Sequence, residues 1–368
     1  MASILDIMGW RNISTSVQKV EPGIPDPLPP EFSNLTENVL GDRTTYITFR
    51  GERRTARRTE YGAPSRARNQ KPIGEQSVAL VHFSEHIKIG QELLLRLRQA
   101  NDLLAQQKAQ ELIARAGADF KQLFVNTRIA MRNSMVANAK IWFDSGGRVL
   151  PTSSGADSGK TIDYGVGANN LNQLNGLIDV AWSDAAAPIQ QHVENVRIKM
   201  KQNTGRDLGV ICYGQNIPGY IFKNTTVKNY WQFNPQLYNQ FQSNSGVIPD
   251  GTFGVKKWVR MGDCFLPTLD SDENETGQTS VFPVDQVTFL PTLDRNAYTM
   301  YEGSMVVPSR YGVNPDIVAA ADCLEVVYGM AGYGLPELEP PGAKAVYFDT
   351  VLPHWKNPLD MFLADVTF

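Results

Sequence analysis

FVNTRIAMRNSMVANAKIWFDSGGRVLPTSSGADSGKTIDYG, residues 124–165, is the stretch on which the fold turns. With the preceding ADFKQL, its residues Phe120, Leu123, Phe124, Met131, Met135, Ala139 and Trp142 recur every three or four positions, which is the spacing of one helical face. That pattern predicts a helix of about seven turns, long for a globular protein, with DSGG at 144–147 as its stop. The remainder, through TIDYG, reads as a polar hairpin.

Upstream, the chain reads as helical from Ser84 onward. Ala105, Ala109, Leu112, Ile113 and Ala116 form a first stripe, with Gly117 as its expected C-cap. Downstream, Pro188 opens a helix whose inward residues are Ile189, Val193, Val196 and Met200; NTG ends it, and LGVICYG at 208–214 reads as a buried strand. A looser alternation of helix and strand is expected to about residue 334. PELEPPGA then reads as a Pro-rich linker, and two strands, AVYFDTVL and DMFLADVTF, flank the turn KNP. The class is α+β, with mixed rather than regularly alternating elements.

The N-terminal side is different. Five prolines between Pro22 and Pro30 block both helix and sheet, so this part reads as an extended arm. After it, TTYITF (44–49) and SVALVHF (77–83) are β-prone and able to pair. Between them lies FRGERRTARRTEYGAP, residues 49–64, with Gly51, Gly62, Pro64, Pro72 and Gly74 punctuating an irregular tip. Residues 43–71 hold nine basic and two acidic residues, a segment charge of +7; the whole chain is −3, so the rest carries −10. An isolated two-stranded hairpin is marginal in water, so this one is expected to rest on something else. Phosphates, an anionic membrane or the acidic surface of another copy would all attract it.

Composition narrows the field. With 368 residues, 42% hydrophobic and 20% charged, the chain has ordinary globular composition and enough length for a sizeable core. Cys212, Cys264 and Cys323 are odd in number and far apart, suggesting neither a disulfide framework nor a zinc cluster, and a reducing compartment. MASILDIMGWR lacks the features of a secretory signal, and no run reaches a membrane span, so the expectation is a soluble chain, intracellular at synthesis.

Three stretches imitate catalytic or metal motifs. SGADSGKT (154–161) ends like a phosphate loop, but has Ser154 where glycine is needed, and IDYGVG follows in place of a helix. HFSEH (82–86) spells an inverted zinc-peptidase motif, but His82 is expected at a strand end and Ser84 at a helix N-cap, so the imidazoles would diverge. Asp270, Asp272 and Asn274 have calcium-loop spacing, with Glu275 and Val281 standing where the glycine and the final glutamate belong. His192 and His354 have no nucleophile context. The reading is therefore not an enzyme, with no cofactor and no metal.

The order of parts, an arm, a basic hairpin, a long amphipathic helix, a polar hairpin closing on TIDYG, a helix-and-strand domain and a C-terminal pair, resembles the lambda-like major capsid protein E family. The opening stretch is similar to that family's spine helix and following hairpin. LGVICYGQNIPGYIF is similar to its strand-then-helix pair, and VTFLPTLDRNAYTMYEGS to a late strand of its axial domain. The resemblance implies the Hong Kong 97-type fold, divided into an N-terminal arm (1–42), an E-loop (43–80), a peripheral domain (81–182 and 335–368) and an axial domain (183–334). It implies a virion protein of a tailed double-stranded DNA phage, assembled in the host cytoplasm. Its partners would be itself, as hexamers and pentamers of an icosahedral lattice, a separate scaffolding protein and a portal, with a decoration protein left open. Double-stranded DNA would be enclosed without sequence-specific binding, and no membrane is involved. The E-loop arginines Arg50, Arg53, Arg54, Arg57, Arg58, Arg66 and Arg68 would then contact neighbouring subunits. Two alternatives stay open: an encapsulin-like compartment shell, and a nucleic-acid-binding protein using residues 50–58, which only Phe49 and Tyr61 flank for base stacking.

Overall fold

The computed structural model describes residues 26–41, 43–48, 74–89, 103–171, 176–243, 247–269, 275–308, 324–338 and 341–367. From the arm, a single helical turn α1 (Glu31–Asn34) leads into strand β1 (Thr36–Val39). The expected hairpin follows as β2 (Arg43–Thr48) and β3 (Gly74–Ala79), paired antiparallel from Arg43↔Ala79 to Thr48↔Gly74. SVALVHF does not stay in one strand: it breaks at the buried Leu80, and β4 (Val81–Ile89) joins a different sheet. Ser84 is therefore a mid-strand residue paired with Phe348, not a helix N-cap.

Helix α2 (Leu103–Asn138) is one continuous element of 36 residues, about 54 Å long. It passes through Gly117 without ending there. An interior glycine costs about 1 kcal/mol relative to alanine, and Gly117 is buried, so packing overrides the local preference. The helix also stops five residues sooner than the apolar spacing suggests. Ala139 takes a left-handed φ of 54°, and Lys140–Phe143 becomes strand β5, flanked by β6 (Val149–Leu150) and β7 (Ile162–Asp163). Trp142 thus lies on a strand. The side chains that satisfy the last carbonyls of α2 come from far along the chain: Thr288 Oγ1 donates to Val136 O at 3.0 Å, and Gln286 Nε2 donates to Ala137 O.

Helix α3 (Ile189–Thr204) agrees with the sequence in detail. Pro188 sits at its N-cap, Gly205 ends it at φ 81°, and Ile189, Val193, Val196 and Met200 are all buried. Strand β8 (Leu208–Tyr213) is buried at every position. In place of the expected alternation, three short helices follow, α4 (Ile217–Lys223), α5 (Thr225–Gln232) and α6 (Pro235–Ser243). Strands β9 (Lys257–Arg260), β10 (Phe265–Leu269), β11 (Glu275–Ser280), β12 (Gln286–Pro291), β13 (Tyr298–Pro308), β14 (Leu324–Tyr328), β15 (Ala331–Leu338), β16 (Pro341–Trp355) and β17 (Phe362–Asp365) complete the chain. PELEPPGA is not a linker: it is the closed end of the β15–β16 hairpin, with Leu338 opposite Pro341. The two terminal strands do not pair with each other, because β16 and β17 belong to separate sheets.

Two sheets organise the described residues. One has six strands in the order β1-β13-β16-β15, with β14 on β13 and β4 on β16; the other has the order β17-β12-β8-β9. A core built on Met131, Met135, Tyr298, Leu352 and Trp355 lies between α2 and the larger sheet. A second, around Trp182, α3, β8, Trp231 and Phe289, fills the smaller one. Strand β12 serves both, sending Val287 and Phe289 into the second core and Leu290 into the first.

Two buried ionisable groups sit where β16 leads into β17. His354, stacked against Tyr301 and Tyr164, is pushed down to about 3 by burial and then by Lys356. Asp360 is pushed up to about 7 by burial, against the hydrogen bond it accepts from Trp355 Nε1 at 2.9 Å. Their signs are opposite. The neutral native histidine makes stability fall as pH drops below about 6.5, the unfolded value. The protonated native carboxyl makes stability fall as pH rises from about 4 to about 7. In the window they share, the slopes oppose each other. Asp360→Asn, which keeps an acceptor for Trp355, should therefore expose the histidine slope. Urea midpoints for the variant should fall between pH 6.5 and 4 by on the order of 1 kcal/mol per pH unit relative to the wild type; parallel pH profiles would refute this.

Candidate functional site: the frame that holds the basic hairpin

The β2–β3 hairpin pairs only with itself among the described residues. What the body contributes is its root. Asn38 lies opposite Glu302, Glu302 opposite Val351, and Val351 opposite Val81. The chain therefore leaves the six-stranded sheet from β1 and re-enters it at β4 on the same row, with β13 and β16 between, a separation of three strand spacings or about 14 Å. Strand β1 is parallel to β13, and β4 is antiparallel to a strand that is itself antiparallel to β13, so β1 and β4 run the same way. An antiparallel hairpin inserted between them cannot continue both, and the chain has to bend at its root.

Those bends are built from specific residues. Gly41 adopts φ 95°, a conformation open to glycine, and its amide donates to Ser304 Oγ at 2.7 Å. Leu80 is buried against Gly303. A Cβ at Gly303 would lie 2.5 Å from Thr350 Cγ2 and 2.8 Å from Leu80 Cδ1, so only glycine lets the root pack this closely. His82 Nδ1 and Thr350 Oγ1 are hydrogen-bonded at 2.9 Å across the same edge.

On the other face of this row, α2 holds the two central strands. Arg128 donates through Nε and Nη2 to the two oxygens of Asp349, each at 2.7 Å, and through Nη1 to Glu302 at 2.6 Å. Asp349 is 1% exposed. Burial by itself would lower the pKa of the guanidinium; the charges and hydrogen bonds of Asp349 and Glu302 outweigh that and hold it above its usual value. One turn further, Arg132 reaches Asp26 at 2.6 Å and donates to Ser33 Oγ, fixing the Pro-rich arm on the same helix. Sequence spacing gives no sign of these links, because Arg128 is 174 and 221 residues from its partners.

The anticipated site residues Arg50, Arg53, Arg54, Arg57, Arg58, Arg66 and Arg68 all lie outside the described residues, as do Asp270, Asp272, Asn274 and Cys323. Arg43, at the hairpin root, is described and exposed. His82 and His86 share strand β4, four residues or about 13 Å apart, too far for one metal ion. Among the described residues no cluster of His, Cys, Asp or Glu could hold a metal. Residues 154–161 lie in turns ahead of strand β7, so no helix N-terminus faces that loop. Cys212 and Cys264 are free and buried; burial pushes the Cys264 thiol up to about 12, with a partial offset from the Asn133 hydrogen bond. No helix among the described residues is long and apolar enough to cross a membrane.

The sequence profile described as phage major capsid protein E matches residues 38–302, from the last turn of the arm through β13's row of the hairpin root. The chain belongs to this family. It is a phage major capsid protein with the Hong Kong 97-type arrangement, in which α2 is the spine helix and β2–β3 is the base of the E-loop. No curated protein sequence matches it. Among solved structures it is similar to a phage-related protein from Bordetella bronchiseptica (9% identity, TM-score 0.47, covering 99% of this chain and 98% of that one). It is also similar to the mature capsid of bacteriophage PhiM1 (9%, 0.44, 94% and 89%) and to an encapsulin from Synechococcus elongatus (8%, 0.40, 96% and 94%).

The Arg128 clamp is testable without any assembly assay. Arg128→Met leaves Asp349 buried without a cation and should cost about 3–5 kcal/mol in urea unfolding. Adding Asp349→Asn should recover part of that loss. A single-variant cost below about 1 kcal/mol would mean that Asp349 is not held as a buried charge.

Proposed function

We infer that the chain is the repeating subunit of the icosahedral head of a tailed double-stranded DNA phage. The observation that carries this is the hairpin root: a bent, closely packed exit from a six-stranded sheet, carrying a +7 segment that has no sheet partner in its own subunit. Such a segment is accounted for if its surface belongs to a neighbour. The remaining charge of −10 on every copy supplies the complement. Arg50, Arg53, Arg54, Arg57, Arg58, Arg66 and Arg68 are the residues proposed to make that contact. Repetition with closed symmetry then turns weak pairs into a stable lattice.

The same reading assigns the larger sheet with α2 to the peripheral domain, and the smaller sheet with α3–α6 to the axial domain. Residues 1–42 are the arm and 43–80 the E-loop. The placement of β13, β14 and β15 in the larger sheet and of β17 in the smaller one supports moving the boundaries: β13–β15 go with the peripheral part and β17 with the axial part. A separate scaffolding protein, a portal and assembly in the host cytoplasm belong to this proposal. The family match favours a phage head over an encapsulin compartment. A direct DNA-binding role for the arginines is the reading to be excluded.

Expressed with its scaffolding protein, the chain should form closed shells tens of nanometres across by electron microscopy; small oligomers at every concentration would count against a shell. Exposed ion pairs contribute about 0.2–1 kcal/mol each, so single arginine substitutions should be mild. Reversing Arg53, Arg54, Arg57 and Arg58 to Glu together should abolish shells while leaving a folded, soluble chain. Raising salt should weaken wild-type assembly in the same direction. If the quadruple variant builds normal shells that fail to package DNA, the arginines serve the genome instead.

A further inference from the structure

The β13–β14 ribbon uses only one of its faces inside the subunit. Val307, with Met305 and Val327 beside it, packs on Ala331 and Phe348. The opposite face carries Ser304, Val306, Val326 and Tyr328. Val306 lies directly across from Val326, and Ser304 from Tyr328. Leu40, one residue beyond Val39 and its partner Gly303, comes up beside Ser304, where the Gly41 amide is bonded to the serine hydroxyl. The four apolar side chains of this strip are exposed by 78% (Leu40), 57% (Val306), 47% (Val326) and 39% (Tyr328). No charged residue interrupts them. By strand alternation Ser304 and Val306 share the face on which Glu302 meets Arg128, so the strip continues past the spine helix on the same side of the sheet.

We propose that this strip is buried against a second copy of the chain in the assembled shell, as the apolar part of the contact whose charged part is the arginine hairpin. The inference rests on the shell reading above. Three observations select a second copy as the occupant. The strip is continuous with the hairpin root: Leu40 and Gly41 are both the end of the strip and the start of the excursion toward the neighbour. The family makes copies of this chain the surface against which each subunit lies. The strip also lacks the lysines and glutamates that keep a solvent-facing ribbon from sticking to other chains. Because apolar burial is not screened by ions, this contact holds where the arginine pairs weaken.

The test compares shells with unassembled chain from the same preparation by hydroxyl-radical footprinting. Labelling of Leu40 and Tyr328 should fall about tenfold in the shells, as for side chains at a buried interface centre. Equal labelling in shells and free chain overturns the proposal. So does protection already present in the free chain, which would mean that the subunit's own residues 309–323 cover the strip. Protection that appears only when a different protein is added to the shells overturns it too. If the wild type forms no shells, the shell reading falls and this inference with it; shells with an exposed strip defeat this inference alone. As a second measurement, Val306→Thr with Val326→Thr keeps β-branched shape and should leave the fold and thermal midpoint intact. The concentration for half-assembly should rise about tenfold, with the same ratio at low and high salt. An unchanged assembly concentration, or a ratio that vanishes in high salt, contradicts it.

Discussion

The structure hangs on a guanidinium. Arg128 forms a fork onto Asp349 of β16 and reaches Glu302 of β13, so a single side chain on the spine helix fixes two strands relative to each other and to the helix. Burying an aspartate to 1% exposure costs several kcal/mol before any return, and an apolar trio of the same volume would often be as stable. What the ionic arrangement adds is direction. Apolar side chains tolerate sliding by a residue, whereas a two-bond fork is satisfied in one register only. Glu302 and Asp349 are also the residues next to the row on which the chain leaves and re-enters the sheet. The clamp therefore sets the distance between the two feet of the hairpin.

That distance matters because a hairpin standing on a sheet is a lever. A shift of β13 against β16 by one residue would move one foot by about 3.4 Å and turn its side chains to the other face. Gly303, Leu80 and Thr350 fill the root so closely that no Cβ fits, which leaves little room for such a shift. At the far end of α2, Thr288 and Gln286 hold the last carbonyls to β12, and Arg132 holds the arm. One helix thus connects the arm, the hairpin root and both sheets through polar contacts with defined geometry. For a subunit that has to present the same surfaces on every copy, rigid relations between those surfaces matter more than net stability.

What the sequence disclosed, and what it hid, follows from the range of the forces involved. Helix α3 was legible in full because its determinants are local: Pro188 before it, Gly205 after it, and four inward residues at helical spacing. The hairpin was legible because alternation and turn residues are local too. The end of α2 was not, since Ala139 and Trp142 keep the helical spacing and the chain leaves the helix only where Thr288 and Gln286, about 150 residues away, take its carbonyls. His82, Ser84 and His86 were misread for the same reason. Their strand is defined by pairing with β16, which lies at the other end of the chain. The proline-rich 336–343 segment looked like a linker, yet a closed hairpin end tolerates prolines where a central strand would not. The anticipated contact residues were recognised from charge alone, and charge does not place them.

The charge asymmetry and the exposed strip solve different parts of one assembly problem. Long-range attraction between a +7 hairpin and copies that are otherwise −10 brings subunits together and orients them, but at physiological ionic strength it acts over only about 8 Å and each pair is weak. Apolar burial has no such reach, but it persists when salt is high and it punishes misfit, because a strip that is not covered stays wet. Placing Leu40 at the junction of the two couples them: the hairpin cannot swing to a neighbour without moving the end of the strip, and the strip cannot be covered unless the hairpin has left its own subunit's surface. A subunit built this way resists sticking while alone, through its net charge, and commits only when both parts of the contact are met together.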